Sequence, residues 1–360
     1  MRKKSVLLFS AATAFAAGLA VCMTKKKKDV AVSRPIEKIN PSDVGFEDYG
    51  YKKTFNIDKN RNISVLITGA NSYIGKSFMR YCENHYPNIK VASIGMRDGN
   101  WRSTPFTTID ESTGEQRPYD SIFHVAGIAH ADVGHTSLEE QEKYYSVNTD
   151  LAIECCKKAR DAGCSQFIFM SSMIIYGGAE YIDEHTLPNP TNFYGNSKWL
   201  ADKGVRELGT DDFKVAVLRP PMIYGNGSKG NYLTLSKISK MTTMFPTVNN
   251  TRSMLYIENL CEFVSQLALS GSGGIFFPQN AEYSNTAEMV KAIAAVSGKR
   301  MRGVSILNPG VIIAEHIPGA IGNLADKAFG SSYYDQGLSK YDGLDYQVLS
   351  LADSLRRTEG

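Results

Sequence analysis

A doubly wound α/β body built on a parallel sheet is the fold class this sequence predicts, and three observations predict it. Short apolar runs of strand length (Ile63 to Ile67, Lys90 to Ile94, Ile122 to Val125, Gln166 to Met170) alternate with segments of helical length. The first run is followed by a glycine-bounded turn, Thr68-Gly69-Ala70-Asn71-Ser72-Tyr73-Ile74-Gly75, that enters a helix. With 360 residues and 42% hydrophobic content, the chain can fill the core of one large α/β unit and a smaller second lobe.

Charge and cysteine content narrow the classes of function. The formal charge is +3, yet seven of the 40 basic residues lie in the first 28 positions, which contain no acid. The remainder carries 33 bases against 37 acids, a balance of −4 and a poor footprint for nucleic-acid binding. Six cysteines, at 22, 82, 155, 156, 164 and 261, show no C-x-x-C spacing. Buried free thiols are expected, with no metal site.

Residues 1–23 hold a 19-residue apolar run, Ser5 to Met23, with Arg2-Lys3-Lys4 before it and Lys25 to Lys28 after it. Its near-spanning length and the lack of a small-x-small cleavage site favour an uncleaved membrane anchor over a signal peptide. Flanking charge does not settle the orientation, because three bases nearly balance four. Residues 24–60 mix Pro35, Pro41, glycines and charges without a period, which predicts a polar linker or an arm wrapped on the body.

The turn after the first strand has the form of a pyrophosphate cradle. Gly69 permits the tight turn, Gly75 lets helix and strand approach, and the helix start at Asn71, Ser72, Tyr73 and Ile74 offers N–H groups to phosphate oxygens. Ser72 replaces the fingerprint's middle glycine. A triphosphate P-loop is excluded because five residues, where four are needed, separate Gly69 from Gly75-Lys76-Ser77. Past the second strand no acid stands where NAD's ribose hydroxyls would want one. Arg97 is placed to meet a 2′-phosphate, with Asp98 as a competing partner, so the dinucleotide leans to NADP(H) with NAD(H) still open.

Two further strands end in Ala126-Gly127 and in Ser171-Ser172, at the carboxyl edge where such sheets hold ligands. Then Tyr194 and Lys198 stand one helical turn apart on one face. A carbinol oxygen that must gain or lose a proton while its carbon exchanges a hydride needs such a set. Tyr194 is the general acid/base, Lys198 the cation that lowers the phenol's pKa, and Ser172 the hydroxyl that fixes the oxygen. The tyrosine–lysine spacing alone is weak, since it recurs at Tyr49/Lys53 and Tyr86/Lys90. Its order after the glycine turn and the serine-ended strand selects Tyr194.

In this order Thr68-Gly69 to Gly75, His124 to Gly127, Asn148, Ser171-Ser172 to Tyr176-Gly177, Tyr194/Lys198 and Arg219-Pro220 resemble the extended short-chain dehydrogenases of the nucleotide-sugar epimerase/dehydratase group, from about Ser64 to the C-terminus. The resemblance implies a Rossmann-like dinucleotide domain over 61–219 and a nucleotide-sugar lobe over 220–360. It implies that Ala126, Gly127, Asn148, Ser171, Arg219 and Pro220 line the cofactor site, Asn148 supporting the proton path. His130, Asn231 and Arg252 are implied on the substrate side, with Arg252 clamping the diphosphate of a UDP-linked sugar. His124 is expected to pack beneath the cofactor.

The stretches Leu218 to Gly225, Lys229 to Tyr232 and Asn250 to Leu260 are similar to capsule and O-antigen C4 reductases of UDP-4-keto-6-deoxy-N-acetylhexosamines. Met173 and Ile174 depart from the acid pair of 4,6-dehydratases, which disfavours dehydration. C4 ketoreduction is therefore expected first and UDP-hexose or UDP-N-acetylhexosamine 4-epimerisation second. A non-catalytic dinucleotide-binding membrane scaffold and a reductase of apolar carbonyls are the contrasting readings. Supply of the cofactor places the body on the cytoplasmic face of the membrane, and a homodimer is compatible with the resemblance.

Overall fold

A computed structural model describes residues 32–97, 99–129, 136–315 and 329–360. Six parallel strands form its central sheet: β1 (Ile63–Thr68), β2 (Ile89–Ile94), β3 (Ser121–His124), β4 (Gln166–Met170), β5 (Lys214–Leu218) and β6 (Gly274–Phe276). Their spatial order is β6-β5-β4-β3-β1-β2. The chain therefore winds outward from β1 in both directions, and the crevice lies beyond the carboxyl ends where the winding reverses.

β1 is buried along its whole length because both faces are covered, as its unbroken apolar sequence requires. Val65 and Ile67 point to one layer with Phe78 and Cys82 of α1 (Tyr73–His85) and Leu260 and Val264 of a later helix, Ile257–Ser270. Leu66 points the other way, toward Ala152, Cys155 and Ala159 of Leu151–Asp161 and Ala201 and Val205 of Phe193–Arg206. Among the described residues the helices in chain order are α1, α2 (Leu138–Tyr145), α3 (Leu151–Asp161), α4 (Phe193–Arg206), α5 (Asn231–Met241), α6 (Ile257–Ser270), α7 (Thr286–Val296), α8 (Asn308–Glu315) and α9 (Leu351–Glu359). The five described cysteines are free and buried.

The sheet corrects the boundary at 219. Its sixth strand comes from residues 274–276, pairing Ile275 with Val217, and α6 packs on the same face as α1. The second lobe is thus threaded by a return to the first, because β5 would otherwise leave an apolar edge open. Residues between 41 and 55 form three single-turn 3₁₀ segments rather than a loose linker. Val44, Tyr49 and Phe55 are buried, the first two beside Tyr176, Trp199 and Phe277. Among the described residues no helix is long and apolar enough to cross a membrane, and the run from Ser5 to Met23 lies outside them.

Candidate active site

The glycine turn is held as its backbone requirements predict. Gly69 has φ +75°, and a side-chain carbon there would stand 2.7 Å from the Ala126 nitrogen. At Gly75 such a carbon would stand 2.6 Å from the Gly69 carbonyl oxygen. Ser72, the departure from the fingerprint, is the N-cap of α1, and its Oγ accepts the Gly75 N–H at 3.0 Å. The first N–H groups of the helix, at Tyr73 and Ile74, have no carbonyl partner within it. Asn71 is exposed beside them. A pyrophosphate fits this cradle: the backbone is bare, the donors are unspent, and the dipole has the right sign. The Tyr73 side chain points elsewhere, its hydroxyl 2.5 Å from where a side-chain carbon on Gly225 would lie, and it makes no hydrogen bond.

Three elements converge beside the cradle. A side-chain carbon at Gly127 would lie 3.1 Å from Asn148 Oδ1 and 3.4 Å from Lys198 Nζ, so the end of β3 touches both. Asn148 is buried, accepts the Ile128 N–H at 2.8 Å, and donates through Nδ2 to the Ile128 carbonyl at 3.1 Å and to Ser197 Oγ at 3.1 Å. It thereby stitches the strand end to α4. Lys198 Nζ donates to the Met170 carbonyl at 3.0 Å, at the end of β4, and lies over the Phe169 ring. Burial pushes its pKa down to about 8.

Ser172 caps the turn after β4, its Oγ accepting the Ile174 N–H at 3.3 Å. That turn meets α4 closely, since a side-chain carbon at Gly195 would stand 3.0 Å from the Ile174 carbonyl. Tyr194 occupies the first turn of α4, begun by the Asn192 cap on the Gly195 N–H at 2.9 Å, with Tyr144 edge-on to its ring at 6.0 Å. Burial, with Tyr144 beside it, raises the Tyr194 phenol to about 12. The cation expected to lower the phenol does not do so here, because Lys198 is spent on the Met170 carbonyl and burial dominates. His124 is buried under the crevice, bonded at Nδ1 to Thr68 Oγ1 at 2.9 Å and stacked on Phe167 and Phe169. Burial, then Lys198, drives it down to about 3, so it stays neutral.

Arg219 is fully buried behind the crevice, where its guanidinium donates to Asp202 at 2.8 and 2.9 Å and to the Tyr176 hydroxyl at 2.9 Å. Burial opposes its charge, but Asp202 outweighs that and lifts the pKa. Its guanidinium is thus engaged by Asp202 and Tyr176. Ser171 turns the same way, donating to Asp202 at 2.8 Å. Pro220 contributes its carbonyl to the Met173 N–H at 2.9 Å. Arg97 is exposed just past β2 and takes part in no ion pair among the described residues. Asn231 is exposed at the start of α5, and Arg252 donates to the Gly330 carbonyl at 2.7 Å. His130 and Asp98 lie outside the described residues.

Several residues that pattern reading missed support the site. Arg34 forks onto Glu142 and Asp150, on either side of Asn148 in the π-turn Ser146–Asp150. Asn196 Nδ2 donates to the Pro35 carbonyl at 3.2 Å and the Tyr145 hydroxyl at 2.9 Å. Such contacts join residues from 51 to 161 positions apart and leave no local signal. Tyr144, four residues before Asn148 on a helical path, was findable by that spacing.

At the carboxyl edge of this doubly wound sheet, a glycine turn that fits a pyrophosphate stands beside the buried Lys198, the Ser172 turn and the helix start that carries Tyr194. The model of the NAD dependent epimerase/dehydratase family matches residues 65–276, and the chain belongs to that family. Its cofactor is accordingly a nicotinamide dinucleotide. The chain is 25% identical over 260 residues to a UDP-glucose 4-epimerase of Vibrio cholerae, covering 67% of this chain and 78% of that protein. It is 26% identical over 215 residues to an N-acetyl-alpha-D-glucosaminyl-diphospho-ditrans,octacis-undecaprenol 4-epimerase of Escherichia coli O157:H7, covering 56% of this chain and 62% of that protein. In structure it is similar to the dTDP-4-dehydrorhamnose reductase of Bacillus anthracis in complex with NADP, at TM-score 0.60 and 20% identity over 82% of this chain and 98% of the other. A UDP-glucuronic acid 4-epimerase of Bacillus cereus in complex with NAD aligns at TM-score 0.59 and 17% identity, over 82% and 95%. At these identities the solved structures establish the fold.

Proposed function

We propose that the protein reduces the C4 ketone of a nucleotide-linked hexose, a UDP-4-keto-6-deoxy-N-acetylhexosamine, using NADPH, for surface polysaccharide biosynthesis. The observation that carries this reading is the meeting of Lys198, the Ser172 turn and the Tyr194 helix at the carboxyl ends of β3 and β4. NADPH supplies the hydride. Tyr194 gives its proton to the sugar oxygen, and a phenol held near 12 stays protonated throughout neutral pH, as an acid must. Ser172 donates to the same oxygen, and Lys198, held on the Met170 carbonyl, lines the floor of the site.

Met173 and Ile174 place no acid beside that oxygen, so elimination of water lacks its proton carrier. The exposed Arg97 past β2 supports a 2′-phosphate and hence an exchangeable NADPH. On the substrate side, Arg252, Asn231 and His130 are assigned to the UDP moiety and sugar. We place the body at the cytoplasmic face of a membrane, held by the run from Ser5 to Met23.

The names of the two curated relatives support a second reading, 4-epimerisation with retained NAD. The full chain mixed with UDP-4-keto-6-deoxy-N-acetylglucosamine and NADPH separates them. Steady loss of nicotinamide absorbance is expected. Interconversion of UDP-hexoses without added cofactor, and no NADPH loss, overturns the reductase in favour of the epimerase.

A further inference from the structure

One face of the second lobe joins exposed apolar side chains to a charge of one sign. Met241 ends α5 at 85% exposure, and Met244 follows at 40%. Residue 244 pairs in register with Arg302, and Val304 then donates its N–H to the Phe245 carbonyl at 2.9 Å, which sets the next turn, Ser305–Leu307, on the same edge. That turn exposes Ile306 at 79% and Leu307 at 37%. Asn308 fastens it, accepting the Thr247 N–H at 2.8 Å. The apolar tips are thus fixed to a rigid edge, and burying them inside the fold is not an option the local backbone offers.

Basic side chains surround them without matching acids. Residues 229–251 and 297–314 contain Lys229, Lys237, Lys240, Lys299, Arg300 and Arg302 and no Asp or Glu at all. Lys240 is neutralised by Glu359 of α9 at 2.8 Å, and on neighbouring α7 Glu288 is spent on Lys291 at 2.7 Å. Lys237, Lys299, Arg300 and Arg302 are exposed and take part in no ion pair among the described residues. Elsewhere the balance is reversed, because the chain beyond residue 28 is net acidic.

We propose that this edge docks on an anionic lipid bilayer, Met241, Met244, Ile306 and Leu307 entering the headgroup boundary while the four unpaired bases meet lipid phosphates. Apolar tips inside a basic rim are the chemistry an interfacial surface requires, and the rim disfavours a second copy of this chain, which would bring like charges together. This contact is separate from the N-terminal apolar run and independent of the reaction proposed above. It fixes the orientation of the substrate lobe against the membrane, which a tether alone leaves free.

The test uses the full chain with Cys22→Ser, since the five described cysteines are buried, and an environment-sensitive fluorophore on Met241→Cys. In vesicles of phosphatidylcholine and phosphatidylglycerol the probe should shift to the blue and be quenched by spin-labelled lipid. The same probe on Glu139→Cys, exposed on α2, should stay water-like. Each base near an anionic surface strengthens binding about fivefold, so Lys299→Glu/Arg300→Glu/Arg302→Glu should weaken docking by roughly a hundredfold or more and return the probe to water. A water-like probe at 241 on vesicle-bound protein overturns the proposal. So does a blue shift that needs no lipid and grows with protein concentration, which would assign the face to a second copy of the chain.

Discussion

In the first half of α4, Lys198 is buried against a carbonyl oxygen and an aromatic ring, and burial alone sets its titration. One turn later on the same face, Asp202 lies buried between Arg206, at 3.0 Å, and Arg219, at 2.8 Å, with Ser171 as a further donor. The two halves have the same access to solvent and opposite electrostatics. Where a carboxylate answers the cation, the charge is locked and the strand ends are tied together. Where none does, the cation keeps a proton it can lose near neutral pH, which is what a proton relay needs and a strut does not. On the proposed reading, Lys198 is the functional member of these two buried bases and Arg219 the paired strut.

The largest effect expected from breaking the reactive half is at Tyr194. Tyr194→Phe removes only the hydroxyl and keeps the ring that packs edge-on to Tyr144. Turnover should fall by roughly 10² to 10⁴ with an unchanged circular dichroism spectrum and melting point. A variant that keeps more than about a tenth of the parent rate would remove the phenol from the chemistry.

Breaking the neutralised half should move stability instead. Asp202→Ala strands the buried Arg219 guanidinium and removes one partner of the half-buried Arg206, which costs about 3–5 kcal/mol. The urea midpoint should drop accordingly, with the slope unchanged. A loss below about 1 kcal/mol would mean that Arg206 and Arg219 find other partners and that the contrast between the halves is overstated.

Lys198→Met sharpens the contrast through pH. The folded pKa is about 8 against an ordinary 10.5, so between those values the unfolded chain binds more protons and stability rises with pH. Below pH 8 the folded protein carries the whole cost of a buried ammonium, about 2–3 kcal/mol once its hydrogen bond is discounted. The methionine variant should therefore be inactive yet more stable than its parent at pH 7. That advantage should shrink as pH climbs from 8 to 10.5. A gap that stays constant with pH would show that Lys198 is not held as a strained cation.

The same contrast explains what pattern reading could and could not reach. Gly69 and Gly75 were legible because each answers a local demand of the backbone, whereas the Tyr194/Lys198 pair stood out only through its order after the glycine turn and the serine-ended strand. Arg219 was not, since its partner sits 17 residues earlier on another element. Lys198, Asp202 and Arg206 recur every four residues, which in isolation describes a solvated helix face; only tertiary packing buries it. Strand β6 is three residues long and opens on the second of two glycines, Gly273 and Gly274, and the company of β5, rather than propensity, makes it a strand. The charged and proline-bearing segment before β1 hid Val44, Tyr49 and Phe55, whose burial depends on surfaces made far along the chain.

The start of α1 supplies a neutral scale for both buried charges, because there a serine hydroxyl does the capping. Ser72→Ala deletes the acceptor for the Gly75 N–H and should cost about 1 kcal/mol. Ser72→Gly, which restores the fingerprint's usual residue, should cost only a few tenths, since glycine leaves the cap position open to water. If the serine matters only as a cap, the alanine and glycine variants will bind the dinucleotide alike and differ only in melting point. A tighter grip by the glycine variant, measured by titration of the protein with NADPH, would show instead that the hydroxyl stands in the pyrophosphate's path.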